Sequence, residues 1–183
     1  MFLLQMSGVP GSGKTTLAKE IARAVGAVRL DHDVVKSGLL EAGIAVEQSG
    51  PASYEVLYAL ARDALGGGSC VIIDSPCFWP RVLDEGQTMA KEHGVVYKYI
   101  ECRTGDLSLI DSRLRTRKRL RSQRLSIDQP PVDLQATPGE AERFARAVES
   151  MQRPSSDYLV VDTSAPISEY LPTALAYLRE LEC

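Results

Sequence analysis

Gly8, Gly11, Gly13, Lys14 and Thr15 are the residues whose types and spacing carry the clearest chemistry. The stretch Gly8-Val9-Pro10-Gly11-Ser12-Gly13-Lys14-Thr15 fits G-x-x-x-x-G-K-[ST], the phosphate-binding P-loop. Glycines let a backbone curl around a phosphate with no Cβ in the way. The loop N–H groups and the N-terminus of a following helix then face the anion. Gly8, Pro10, Gly11, Ser12, Gly13, Lys14, Thr15 and Thr16 are therefore the candidate nucleotide contacts. Lys14 suits the β- and γ-phosphate oxygens, and the Thr15 hydroxyl suits Mg²⁺.

Three further groups could work with that loop. Asp31-His32-Asp33-Val34-Val35-Lys36 puts two carboxylates and a cation into six residues. Asp33 could take a proton from a substrate hydroxyl, and Asp31 could orient Mg²⁺. Lys36, one helical turn after Asp33, could bind a substrate anion. Asp31 or Asp33 could equally cap the helix that follows. Val71-Ile72-Ile73-Asp74 is an apolar strand delivering an acid, a second candidate for Mg²⁺. Phe78 and Trp79 follow it in a chain with only 6% aromatic residues, and could wall a substrate pocket with Arg81 beside them. Arg113, Arg115, Arg117, Lys118, Arg119, Arg121 and Arg124 form a basic run. Such a run is usually a solvated face. Phosphoryl transfer, however, develops charge that an arginine on a mobile lid can stabilise. Arg113 and Arg117, four apart, are expected on one helix face and against phosphate, with Arg117 catalytic beside Lys14 and Asp33.

The elements that must position these residues alternate short apolar runs with amphipathic stretches, the pattern of βαβ units. Strands are expected at Phe2–Met6, Ala27–Leu30, Cys70–Ile73, Val95–Glu101 and Tyr158–Val161. Helices are expected over Thr16–Val25, Val34–Ala42, Tyr54–Leu65, Pro80–His93, Asp106–Arg121, Pro138–Met151 and Ile167–Leu181. Gly26, Gly43, Gly66 and Gly94 serve as stops. Residues 44–52 read as loop, with Ser53 a cap and Val56, Leu57, Leu60, Ala61 and Ala64 inward. Residues 113–137 read as a lid segment. Five strands linked by helices make one doubly wound domain over 1–183, with ligands beyond the carboxyl ends of the strands. The P-loop, Asp31/Asp33, Asp74, Cys102-Arg103 and Asp162 all lie at such ends, so a single cleft is expected. Asp162-Thr163-Ser164-Ala165-Pro166 would lie near the adenine side.

Composition bounds the partners. The chain has 183 residues, 44% hydrophobic and 25% charged, with a net charge of −3. It offers duplex nucleic acid no generally basic surface. No apolar run approaches the roughly 20 residues that cross a bilayer. No signal-peptide pattern opens the sequence, so a cytoplasmic protein is expected. Cys70, Cys77, Cys102 and Cys183 form no C-x-x-C pair and, with only His32 and His93, no zinc spacing. They read as reduced thiols. Oligomeric state is not legible.

These residues together resemble the small P-loop kinases of the adenylate kinase-like group. That set includes chloramphenicol phosphotransferase, gluconate kinase, adenylylsulfate kinase, zeta toxins and the kinase half of polynucleotide kinases. The resemblance spans nearly the whole chain from Met6. Leu30-Asp31-His32-Asp33-Val34-Val35-Lys36 is similar to the L-D-G-D-N-V-R stretch of adenylylsulfate kinases, departing at the glycine, the asparagine and the final arginine. The resemblance implies an α/β P-loop NTPase fold, a five-stranded parallel sheet in the order 2-3-1-4-5, and an Arg-rich lid matching R-x-x-x-R at Arg113 and Arg117. It implies ATP and Mg²⁺ as cofactors and Asp33 acting on an acceptor hydroxyl. The expected activity is transfer of the γ-phosphoryl group of ATP to a small molecule. Polynucleotide 5′-hydroxyl kinase, toxin-type sugar-nucleotide kinase and a non-catalytic ATP-binding switch are the alternatives. Lys36 replaces the arginine that binds the acceptor phosphate in polynucleotide kinases and offers one point charge instead of a fork, which disfavours nucleic acid. No N-K-x-D guanine motif is present.

Overall fold

A computed structural model describes residues 1–155 and 157–179. Cys183 and the expected end of the last helix at Leu181 lie outside the described residues. The strands are β1 (Phe2–Ser7), β2 (Val28–Asp31), β3 (Val71–Asp74), β4 (Val96–Arg103) and β5 (Leu159–Asp162). They form one parallel sheet in the order β2-β3-β1-β4-β5. The helices are α1 (Lys14–Val25), α2 (His32–Glu41), α3 (Val46–Gly66), α4 (Pro80–Glu92), α5 (Leu107–Thr116), α6 (Glu140–Glu149) and α7 (Ile167–Arg179).

All six residues of β1 are buried, as a central parallel strand covered on both faces requires. Phe2, Leu4 and Met6 point to one face, against Leu17 and Ile21 of α1 and Ala174 and Leu178 of α7. Leu3 points to the other, where Val71, Ile73 and Tyr99 meet α3 and α4. A third cluster, with Val9, Ile110, Leu114 and Phe144, sits beyond the sheet's carboxyl edge under α5 and α6. The central position of β1 is the switch point of the strand order, where such sheets open a crevice. The P-loop leaves β1 there.

Several local expectations differ from the structure. α3 begins at Val46, inside the segment read as loop, and carries Pro51. Gly50 and Pro51 look like turn chemistry, yet the Ser49 and Ser53 hydroxyls donate to the Val46 and Gly50 carbonyls across that turn. The buried face of α3 is Tyr54, Leu57, Tyr58, Ala61 and Leu65. Val56 and Leu60 are 40% and 45% exposed, because the two tyrosines take the core-facing stripe. Val34, expected on one apolar side of α2 with Val35, Leu39 and Leu40, is likewise 52% exposed. α5 stops at Thr116, and its C-cap Arg117 is extended, at φ −66° and ψ 149°. Arg113 and Arg117 therefore do not share a helix face.

Candidate functional site

The P-loop is built by its glycines. Gly8, Gly11 and Gly13 have φ of 125°, 86° and 92°. A Cβ on Gly8 would stand 2.3 Å from the Cys102 carbonyl oxygen, and one on Gly11 would stand 2.9 Å from Ile110 Cγ2. Ser12 N–H donates to the Val9 carbonyl at 3.0 Å and closes the loop. α1 then starts at Gly13 with no side-chain cap and no acid in its first turn. Its leading N–H groups are thus left for an anion. Lys14 Nζ donates to the Val9 carbonyl at 3.3 Å, resting over the loop. Pro10, Gly11 and Gly13 are half-buried, and Thr16 is exposed in the first turn. The buried Ser12 hydroxyl has no hydrogen-bond partner.

Two braces support this loop from outside. The Thr163 hydroxyl donates to the Ser12 carbonyl at 2.7 Å. Arg113 donates to the Thr163 carbonyl at 2.6 Å and to the Gly11 carbonyl at 3.5 Å. Arg113 therefore lies on the back of the loop. Asp162, expected near an adenine, accepts from the backbone and hydroxyl of Ser164 and stabilises its own turn.

The acids meet at the adjacent strand ends. Asp31 and Asp74 are register partners on β2 and β3. Arg29, on the same face of β2 as Asp31, bridges them, donating to each at 2.7 Å. Asp31 is fully committed: its Oδ1 also accepts from the Asp33 and Val34 N–H groups and caps α2. Asp74 is buried, and its Oδ1 has no hydrogen-bond partner. Burial pushes its carboxyl up from the usual range, and the Asp31 charge adds to this. Lys14, Arg29 and the nearby Thr15 hydroxyl oppose the rise. The half-satisfied carboxylate and the threonine hydroxyl are oxygen donors that fit Mg²⁺, a hard cation that takes oxygen ligands and keeps several waters, while the Lys14 ammonium suits phosphate oxygens. Among the described residues no three His, Cys, Asp or Glu side chains cluster as a metal cage.

Asp33 opens α2 with a side chain 37% exposed. The Ser122 hydroxyl donates to its Oδ1 at 3.1 Å, and Gln123 Nε2 donates to its Oδ2 at 2.9 Å. His32 next to it is buried, sharing a 2.9 Å hydrogen bond with the Ser53 hydroxyl and lying 4.2 Å from the Tyr54 ring. Burial takes its pKa down to about 4, with Lys36 and Lys14 acting in the same sense against Asp33 and Asp31. The imidazole is neutral at pH 7, so its 4.0 Å approach to Asp33 is not an ion pair. Lys36 is half-buried on α2. Arg117 donates one N–H to the Arg124 carbonyl and buries its Nε with no partner. Burial lowers its pKa, with Arg119 adding to this while Asp33 and Asp31 oppose it.

The expected pocket walls divide. Phe78 packs against the Val9–Phe144 cluster. It lines a groove of about 270 Å³ with Pro10, Arg124, Arg143 and Phe144. Trp79 is 56% exposed, edge-on to Tyr54 at 6.1 Å. Arg81 is exposed and ion-paired with Glu55 and Glu85 on the outer side of α3 and α4. The other arginines of the basic run mostly have partners too: Arg115 holds Asp111 and Asp128, Arg121 holds Asp133, and Arg124 holds Glu140. Sequence reasoning passed over Arg29, Ser122 and Gln123. Arg29 carried a signal, since residues i and i+2 of a strand share a face. Gln123, from a segment without periodicity, carried none. Cys77 and Cys102 are free and buried, their thiols pushed up to about 12 by burial.

Comparison with known proteins follows the same lines. No curated protein sequence matches the chain. A candidate kinase from Chloroflexus aurantiacus J-10-fl superposes with a TM-score of 0.73 at 19% identity, covering 97% of this chain and 96% of that one. APS kinase from Mycobacterium tuberculosis, solved with AMPPNP and APS, gives 0.61 at 17% identity over 96% of each chain. A gluconokinase from Sinorhizobium meliloti 1021 gives 0.59 at 18%, over 97% of this chain and 91% of that one. These establish the shared P-loop fold and its strand order. Residues 3–137 match the AAA_33 family model, an AAA domain, so the chain belongs to that P-loop family.

Proposed function

We propose that this protein is a Mg²⁺·ATP-dependent kinase that passes the γ-phosphoryl group to a hydroxyl of a small molecule. The loop N–H groups, the α1 N-terminus and Lys14 hold the triphosphate. Mg²⁺, held by Thr15 and Asp74, would neutralise charge on the β- and γ-oxygens. Asp31 acts one step back, steadying Asp74 through Arg29. Asp33 accepts the acceptor's O–H proton as its oxygen attacks the γ-phosphorus; the new O–P bond forms, the bond to the β-phosphate oxygen breaks, and ADP leaves. Arg117 meets the charge that develops on the transferred group. Lys36 attracts an anionic part of the acceptor, with Phe78 and Trp79 walling its apolar part. Arg81 would contribute at the rim only on release from Glu55 and Glu85.

One observation carries this reading: a partly exposed carboxylate, Asp33, stands within electrostatic reach of a half-buried guanidinium, Arg117, whose Nε–H is unpaired, at the strand ends where the P-loop lysine lies. A base, a cation for the transferred group and a phosphate cradle are the parts phosphoryl transfer needs. The gluconokinase, APS kinase and sugar kinase among the fold's neighbours favour a small hydroxylated acceptor.

The test is a γ-phosphoryl transfer screen over nucleosides, sugars, aminoglycosides and RNA 5′ ends. Transfer to a small alcohol is expected, with Asp33→Asn slower by about 10²–10⁴-fold. Equal rates for parent and Asp33→Asn on every acceptor would remove the proposed base.

A further inference from the structure

The segment that follows α5 lies on α2, and it grips the carboxylate assigned above as the base. The contacts form a connected set. Ser122 N–H donates to Ser37 Oγ, and Ser37 Oγ donates to Ser122 Oγ, each at 3.0 Å. Ser37 and Ser122 are both buried, at 3% and 7% exposure. With its acceptor site used by Ser37, the Ser122 proton is directed at Asp33, whose Oδ1 and main-chain carbonyl are both 3.1 Å away. Gln123 is fixed from its other end: its Oε1 accepts from Leu120 N–H at 3.1 Å, which sets the amide orientation and turns Nε2 toward Asp33 Oδ2. Arg121 adds a tether, donating to the Leu40 carbonyl at the far end of α2 at 2.8 Å.

Each Asp33 oxygen thus accepts one hydrogen bond and keeps a lone pair for a substrate hydroxyl. The arrangement holds the carboxylate without blocking it. We infer that Ser122 and Gln123 are positioning residues that set the orientation of Asp33, so that the base is aligned only while the segment 117–126 is docked on α2. This rests on the kinase reading for the role of Asp33, and adds that docking of the segment and alignment of the base are one event. A base held within a few tenths of an ångström of productive geometry is where such support matters most.

Gln123→Glu separates positioning from bracing. It keeps the side-chain shape and an acceptor for Leu120 N–H, but replaces the donor facing Asp33 with a second carboxylate. A residue that merely braced the loop would, when changed, raise KM for ATP or lower the melting temperature along with any fall in kcat. A positioning residue lowers kcat alone, and Glu lowers it further than Ala by repelling Asp33. With saturating Mg·ATP and either water or the alcohol found by the screen as acceptor, kcat is expected to fall about tenfold for Gln123→Ala and about a hundredfold for Gln123→Glu. KM for ATP should stay within twofold in both. Gln135→Ala, exposed and outside the contact set, is the control.

The side-chain amide of Gln123 gives a second readout in the free protein by ¹⁵N NMR. Slowly exchanging signals are expected that become solvent-like in Asp33→Ala. Solvent-like signals in the parent, or a Gln123→Glu enzyme as fast as the parent while Asp33→Asn is slow, overturns the inference alone. Asp33→Asn as fast as the parent overturns the kinase reading of Asp33 instead.

Discussion

A histidine buried between a serine hydroxyl and a tyrosine ring resists protonation. His32 has a folded pKa of about 4, against about 6.5 in an unfolded chain. Above pH 6.5 it is neutral in both states. As pH falls through 6.5 the unfolded chain gains a proton that the folded one refuses, so stability drops until the folded pKa is passed. The integrated loss is on the order of 3 kcal/mol. His32→Asn should flatten the urea-midpoint profile between pH 6.5 and 4; an unchanged acid slope would show that other groups set it. The P-loop glycines make a second comparison. Gly8 and Gly26 both have positive φ, but a Cβ on Gly8 meets the Cys102 carbonyl and the Ser12 side chain, whereas one on Gly26 meets nothing within 4 Å. Gly26→Ala should therefore cost only about 1 kcal/mol for its backbone conformation. Gly8→Ala should cost more and abolish ATP binding, read by thermal melts with and without Mg·ATP. Equal costs would contradict the close approach. The sequence motif marked Gly8 because the loop's demands are local. Gln123 was invisible because its role depends on a partner 90 residues away.

At the scale of elements, β2 and β3 end in acids that repel each other, and Arg29 makes their pairing tolerable. Removing one member of a buried ionic set leaves uncompensated charge and costs about 3–5 kcal/mol. Arg29→Met should lower the melting temperature accordingly. Millimolar Mg²⁺ without nucleotide should restore more of the loss in this variant than it adds to the parent, because the cation takes over the role of the guanidinium beside Asp74. A variant that melts like the parent, or gains no more from Mg²⁺, would show that the bridge is incidental. The strands themselves and the strand–loop–helix start were legible because hydrophobic runs and glycine stops are short-range signals, whereas the strand order was implied only by the family resemblance. The start of α3 was not, since Gly50-Pro51 mimics a turn, and the Ser49 and Ser53 hydroxyl bonds together with burial of Ser49, Ser53 and Tyr54 hold the helix through it. The end of α5 was missed for the opposite reason. The Arg/Lys-rich run favours a helix by propensity. Yet Arg117 turns extended as the chain leaves for the segment that docks on α2.

At the scale of the whole molecule, charge decides between a small acceptor and a nucleic acid. The basic run looks in sequence like a polyanion-binding stripe. In the fold, Arg113 faces carbonyls, and Arg115, Arg121 and Arg124 are each ion-paired with an acid. Lys118 and Arg119 remain exposed. Neutralised arginines release few counterions from a phosphate backbone, and the net charge of −3 opposes association at long range. Titration of a short single-stranded RNA with a 5′-hydroxyl against increasing KCl should thus give weak binding, with a slope of log K on log salt shallower than about −2. ATP, held by one loop and one helix end, should raise the melting temperature in proportion to the logarithm of its concentration, with or without RNA. A slope of about −4 or steeper that persists in Lys118→Ala/Arg119→Ala would mean that the ion pairs open to admit a polyanion, and would move the acceptor from a small alcohol to an RNA end.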